Sequence, residues 1–388
     1  MDILLNGSST VSEKNCNEPG IVFPHLISGW MKKILFIKPA DYSFTVNDQK
    51  ILEKHFRVRA FLINRKNAGF HFIRRIFNMI LFIIFNSGGT RLMITWFADY
   101  HAAIMVFMGK ILNIKTVIIA GGQEAICYPE LKKGVYYKKF RGAFVRFALR
   151  HADLILPNHE SLVYHENFYY DPLGKKDGMK YYVPGLKTKI TVIPNGIETG
   201  KFYREESIPK DPKMVLTVGT MNSVYDFLNK GFDLFISMAR RNPDLNFVMI
   251  GIKKPFLPWI VENYPFYDIE NLTVIYSYCP HEVLFESYNK ANVFVQASIT
   301  EGMPNTLCEA MLCGCTPVGS NVNGIPDAIG NTGILIKKRN VAELESGVRQ
   351  ALILNSGKEA AKRIRENLSF DDREKKLIRV LQEDFFPG

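Results

Sequence analysis

A chain of 388 residues outgrows a single hydrophobic core, so two domains are expected. Its 47% hydrophobic content and mean hydropathy of -0.03 exclude a disordered chain. The strongest apolar run, "MILFIIF" at 79–85, is far shorter than the roughly 20 residues that span a bilayer and reads as a buried helix or strand. Charge is uneven: residues 31–190 hold 26 Lys and Arg against 11 Asp and Glu, a net of +15, while the whole chain carries +11. That segment faces something anionic, with nucleic acid and anionic membrane as the two candidates.

Residues 1–30 are polar, acidic and turn-rich, with no basic start that would mark a signal peptide, and read as a flexible extension. "MKKILFI" at Met31 has the form of a domain start, which makes Met31 a candidate initiator. The six cysteines have no ligand-like spacing, so free thiols in a reducing cytoplasm are expected.

Alternation begins at once. "KKILFI" (32–37), "RVRAFLI" (57–63), "RLMITWF" (91–97), "KTVIIA" (115–120) and "DLILP" (153–157) read as strands. Helical spacing in "DQKILEKHF" (48–56) and "HAAIMVFMGKIL" (101–112) separates some of them. A stretch rich in Pro, Gly and charge, 194–212, reads as a linker, and a second alternation follows. "KMVLTVG" (213–219), "LNFVMIGI" (245–252), "NLTVIYS" (271–277), "NVFVQAS" (292–298), "TPVGS" (316–320) and "GILIK" (333–337) are strands, with "GFDLFISMARR" (231–241) and "HEVLFESYNKA" (281–291) helical. Near-continuous apolar strands between helices indicate parallel sheets covered on both faces. The expected fold class is α/β, two doubly wound Rossmann-like domains facing across a cleft: 31–193, then 213–365, with a C-terminal helix in 366–388 that packs back on the first domain.

The chemistry is expected where "NVFVQAS" delivers the chain to "ITEGMPNTLCEAM". Pro304 suits the first turn of a helix, whose free N–H groups and dipole favour an anion such as a diphosphate. Glu309 lies about one turn down and leans back toward the helix start, and Glu301 stands in the loop before it. Ionised carboxylates are acceptors only, which suits the vicinal hydroxyls of a ribose or hexose. By spacing alone, both glutamates could equally complement the helix dipole on a solvated surface.

The surroundings decide the reading. "EGMPNTLCEAMLCGCTPVGSNVNGIPDAIG", with "VIPNGIETGKF" (192–202), "VLTVGTMN" and "KGFDLFI" in 215–236, and "ADLILPNHESL" (152–162), resembles the retaining glycosyltransferases of the GT-B fold, glycosyltransferase family 4. The resemblance implies that Glu309 accepts from the nucleotide ribose and that Glu301 holds donor-sugar hydroxyls with the amides of Gly302 and Met303. The amides of Thr306 and Leu307 would meet the diphosphate, and Lys230 would neutralise it as it leaves. Two departures stand out. Thr220 occupies a slot where many relatives have arginine, and Gly121 of "AGGQEA" stands near a position where many have a histidine. Gly121 and Gly122 would still let a sugar approach the backbone closely. Asp99, His101 and Glu124 are the nearest polar candidates, His101 being the kind of lone histidine that is more often structural. No Asp-x-Asp occurs, so no metal and no cofactor are expected.

The implied function is sugar transfer from a nucleoside diphosphate to a glycan or lipid-linked acceptor, in surface polysaccharide assembly. A nucleotide-sugar epimerase of similar fold and a non-catalytic nucleotide-sugar-binding partner are the alternatives. Nucleic acid is not an expected partner, since no recognised module accompanies the charge. The placement expected is cytoplasmic, with peripheral contact at an anionic membrane face. In "VYYKKFRGAFVRFALRH" (135–151), Phe140, Phe144, Phe147 and Ala148 share a helical stripe bordered by Lys138, Lys139, Arg141, Arg146 and Arg150. The phenylalanines either pack onto the sheet or press against lipid.

Overall fold

The computed structural model describes residues 31–64, 70–276 and 279–387. The extension read over residues 1–30 lies outside the described residues, and the body set out below belongs to one compact unit, Lys32–Gly388. The chain lays down β1 (Lys33–Lys38), α1 (Ser43–His55), β2 (Arg57–Leu62), α2 (Phe70–Asn86), β3 (Thr90–Trp96), α3 (Tyr100–Leu112) and β4 (Lys115–Ala120). A hairpin of β5 (Cys127–Tyr128) and β6 (Lys133–Gly134) leads to α4 (Lys139–His151) and β7 (Leu154–Pro157). A second hairpin, β8 (His165–Asn167) with β9 (Lys175–Asp177), precedes α5 (Met179–Tyr182) and β10 (Lys189–Ile190). Six strands pair in parallel in the order β10-β7-β4-β3-β1-β2, so the sheet's growth reverses between β1 and β3. Buried on both faces, the central strands must be apolar throughout, whereas edge strand β2 carries exposed Arg57 and Arg59 that discourage further pairing.

The second sheet repeats the scheme. β11 (Asp211–Val218) is followed by α6 (Tyr225–Asn229), α7 (Phe232–Arg241), β12 (Asn246–Ile252), α8 (Leu257–Asn263), β13 (Leu272–Tyr276), α9 (His281–Lys290) and β14 (Ala291–Gln296). Then come α10 (Asn305–Leu312), β15 (Thr316–Ser320), α11 (Ile325–Ile329), β16 (Ile334–Ile336), α12 (Val341–Leu354), α13 (Gly357–Asn367) and α14 (Phe370–Phe385). The order β13-β12-β11-β14-β15-β16 is that of the dinucleotide-binding doubly wound fold, with its reversal between β11 and β14. β11 starts inside the segment read as linker, at Asp211.

The faces of the first sheet are covered from different parts of the chain. Leu35, Ile37, Met93 and Ile118 pack under α2, α3 and α4. Ile34, Phe36, Leu92 and Ile94 pack with Leu377, Ile378 and Leu381 of α14, which returns from the end of the second domain. Arg373 of α14 fixes that return. It is buried, forms a two-pronged ion pair with Asp48 at 2.6 Å on both arms, and donates to the carbonyls of Ile193 and Pro194 at 3.0 and 2.8 Å. Asp48 also accepts from the Trp96 indole at 2.9 Å, so the buried charges are fully paired. The chain crosses between domains twice at one place: the Ile197 amide donates to Leu368, and the Phe370 amide donates to Ile197, forming a parallel bridge.

The structure decides two readings that the sequence left open. α4 buries Gly142, Val145, Ala148 and Leu149, not the phenylalanine stripe, and leaves Phe140 84% and Phe144 42% exposed. The "MILFIIF" run is half of α2: Met79 and Ile83 are buried, while Ile84 and Phe85 are exposed. Among the described residues no helix is long and apolar enough to cross a membrane. The described cysteines, 127, 279, 308, 313 and 315, are free thiols.

Candidate functional site

The carboxyl ends of both reversal points open on one cleft of about 340 Å³. The first domain contributes Trp96 and Phe97 at the end of β3, Gly121 to Gln123 after β4, Lys133 and Asn158. The second contributes Gly219 and Thr220 after β11, Asn229, Lys230, and the run Thr300 to Thr306 between β14 and α10. Direct contacts hold the walls together: Lys133 pairs with Asp226, Asn167 donates to the Ile299 carbonyl at 2.7 Å, and His159 meets Asp327 at 2.8 Å.

Lys230 and Glu301, two residues singled out from the sequence, meet here at 2.5 Å as an ion pair. Backbone geometry places Lys230. Gly231 has φ of +73°, and a Cβ there would lie 2.4 Å from the Ala297 carbonyl oxygen, so only glycine fits beside it. Glu301 is set by its own amide, which donates to Asn323 Oδ1 at 3.1 Å, while Asn323 donates to Ser161 of the first domain at 3.2 Å. Gly302 touches the other wall, where a Cβ would stand 2.7 Å from the Gly121 carbonyl. Met303 and Thr306 line the cleft with Pro304, the cap of α10. The first amides of that helix have no intrahelical acceptor and face a ligand site by default. Leu307 is wholly buried and is not among the cleft-lining residues.

Glu309 opens on a second chamber of about 350 Å³, shared with the first through Asn305 and lined also by Asn47, Gly196, Lys201, Cys279 and His281. Burial pushes its carboxyl up to about 7, against the lowering effect of the Tyr288 hydroxyl, which donates to it at 3.1 Å, and of Lys201. The two glutamates therefore open on adjoining chambers that meet at Asn305.

Three first-domain candidates are relocated. Asp99 caps α3 by accepting from the Tyr100 amide at 2.8 Å and binds Arg141 at 2.6 and 3.1 Å. His101 is buried with Nε2 3.0 Å from the Trp96 carbonyl oxygen. Neither lines the cleft, because their turn is spent on holding β3 to α3 and α4. Glu124 sits fully buried behind the cleft, accepting from the amides of Gly121 and Gly122 at 2.9 and 3.3 Å. Burial raises its carboxyl to about 7 against those donors. Gly121 and Gly122 do line the cleft, as does Thr220, and Lys133 adds a second lysine to its wall.

What the sequence reading missed is a set of asparagines. Asn158, Asn195, Asn229 and Asn305 all line the cleft, and each has a buried side-chain oxygen with no hydrogen-bond partner. Each unpartnered acceptor costs about 1–3 kcal/mol unless a donor arrives. The signal was present only as position, since Asn158 stands just past the end of β7. Among the described residues no three His, Cys, Asp or Glu side chains converge as metal ligands.

Residues 199–369 match the family of glycosyl transferases group 1. One component of the human phosphatidylinositol N-acetylglucosaminyltransferase is 27% identical over 175 residues, 43% of this chain and 34% of that protein. The chain thus spans about a third of the length of the curated relatives it matches. Sucrose-phosphate synthase from Thermosynechococcus elongatus superposes with a TM-score of 0.69 at 14% identity, covering 92% of this chain and 100% of that one. Anabaena HepE in complex with UDP-glucose superposes at 0.62 with 13% identity, covering 90% and 99%. The chain as a whole thus has the two-domain GT-B fold, and its residues 199–369 are similar to the glycosyl transferases group 1.

Proposed function

We propose that the protein is a retaining glycosyltransferase that moves a sugar from a nucleoside diphosphate to a glycan or lipid-linked acceptor in surface polysaccharide assembly, on the cytoplasmic side of a membrane. The observation that carries this reading is the meeting of Lys230, Glu301 and the first turn of α10 on a cleft with four unpartnered asparagine oxygens. A diphosphate needs the positive end, and sugar hydroxyls are the donors those oxygens lack. Glu309 in the adjoining chamber suits a ribose diol, and Lys133, paired with Asp226, is the second cation on the cleft wall beside Thr220.

Glu301 is the one carboxylate among the described cleft-lining residues, and no histidine is among them. Held by Lys230, it is poorly placed to attack the anomeric carbon. The arrangement favours departure of the diphosphate with transfer of the acceptor proton to a diphosphate oxygen, on the same face of the sugar. The lack of an acid/base pair also disfavours an epimerase. No metal is required, since Lys230 and the helix start carry the diphosphate charge.

The test is to incubate purified protein with UDP-, GDP- and ADP-sugars and candidate acceptors, with and without EDTA. Acceptor-dependent release of one nucleoside diphosphate that survives EDTA and retains the anomeric configuration is expected. Conversion of donor alone into an epimer, or binding without turnover on any donor, would overturn the proposal.

A further inference from the structure

The helical layer over one face of the first sheet has an outer surface that the reaction does not use. α2, α3 and α4 lie side by side there, linked through an aromatic relay. Phe72 meets Tyr100 edge-on at 6.1 Å, and Tyr100 meets Phe144 at 5.1 Å. On α2, Ile73, Phe77 and Phe85 are 66%, 57% and 81% exposed. On α3 Phe107 and Ile111 are more than half exposed, and α4 adds Phe140 and Phe144. Between α3 and α4 runs a groove of about 410 Å³ floored by Ala103 and Ala143 and walled by Phe107 and Phe144. Isolated exposed apolar residues need no explanation, but so many on adjoining helices mark a docking surface.

Charge identifies the occupant. The three helices contain no Asp or Glu, yet carry Arg74, Arg75, Lys110, Lys139, Arg141, Arg146 and Arg150. Of these, Arg141 is engaged with Asp99 and Arg146 with the Tyr182 carbonyl, while Arg74, Lys110 and Lys139 are exposed among the apolar side chains. An acid-free basic field around protruding Phe and Ile side chains complements an anionic lipid surface, with rings entering the acyl region and cations at the headgroups. A second copy of the chain would bring the same positive field against itself.

We infer that the outer faces of α2, α3 and α4 form one membrane-docking surface for anionic lipid bilayers. The inference deepens the membrane-side placement proposed above, but the binding can be measured with no sugar transferred, so the two stand or fall separately. The experiment is co-sedimentation of the full chain with vesicles of phosphatidylcholine alone or mixed with phosphatidylglycerol, at low and high salt. Binding that requires phosphatidylglycerol and weakens with salt is expected. The triple variant Ile73→Ser, Phe77→Ser, Phe85→Ser should lower partitioning about tenfold or more, and Arg74→Glu, Lys110→Glu, Lys139→Glu should abolish the lipid-charge preference. Should a variant fold poorly, hydrogen exchange on the unaltered chain decides the matter, with vesicle-dependent protection confined to 70–86, 104–111 and 139–147. Absence of binding, protection elsewhere, or a self-associated dimer that the serine variant dissolves would each overturn the inference.

Discussion

Glu309 brings a carboxylate to a place that favours its neutral form. Its folded pKa of about 7 lies above its ordinary value of 4.5, so this group's stabilising effect is full below pH 4.5 and is lost as pH rises through 7. Glu309→Gln keeps an acceptor for Tyr288 and removes the charge. At pH 8 it should stabilise the ligand-free protein by about 1–3 kcal/mol, measured by urea unfolding, and flatten the fall in stability between pH 4.5 and 7. Donor binding should move the other way: a ribose diol donates best to an ionised carboxylate, so wild-type affinity should rise through pH 7 and fall sharply in the variant. Calorimetric titration in two buffers would detect the proton release, and unchanged affinity would remove Glu309 from the ribose. Lys230→Ala should cut transfer by about 10²–10³ with little change in melting, since the residue stands on a cleft wall. Parallel losses of stability and activity would show a structural lysine instead.

At the scale of elements, Gly231 is the sharpest test. Replacing it with alanine drives a Cβ into the Ala297 carbonyl from a left-handed backbone, so α6 and α7 must shift and Lys230 with them. A destabilisation of about 1–3 kcal/mol in chemical denaturation, with a larger loss of activity than that alone explains, is expected. The strands were legible because a parallel strand covered on both faces has to be apolar along its length. The faces of α2 and α4 were not legible, since composition does not tell which side of an apolar helix meets protein. α4 lies close against α3, so small residues (Gly142, Ala148) face inward and the bulky Phe140 points out. Glu301 and Lys230 were legible through the segments that flank them. Asn158 was hidden because Asn past a strand end reads equally as a turn residue, and Asn229 and Asn305 because they sit at helix ends, where Asn is equally common as a cap. Asp99 and His101 misled for a related reason: polar residues at a strand end are as useful for capping the next helix as for catalysis.

Over the whole molecule, the Arg373–Asp48 pair decides whether α14 stays on the first domain. Arg373→Leu leaves Asp48 buried with only the Trp96 indole, and should cost about 3–5 kcal/mol in equilibrium unfolding. The double variant with Asp48→Leu should recover much of that loss. If the single change is neutral, the strap is held by its apolar face and by the outer pairs Lys54–Glu374 and Lys189–Asp384.

The double crossing at Ile197 and Ser369 has a mechanical consequence. A single covalent strand lets two bodies both swing and twist, but two strands bonded edge to edge resist torsion and leave bending as the soft motion. Any swing of one domain on the other should then run about this two-ply ribbon, which would return Gly121 and Asn158 to the same register against Lys230 and Glu301. The amides of Ile197 and Phe370 should accordingly exchange far more slowly than other inter-domain backbone, and Ile197→Pro, which deletes one of the two bonds, should broaden the spread of inter-domain distances seen by paired spin labels.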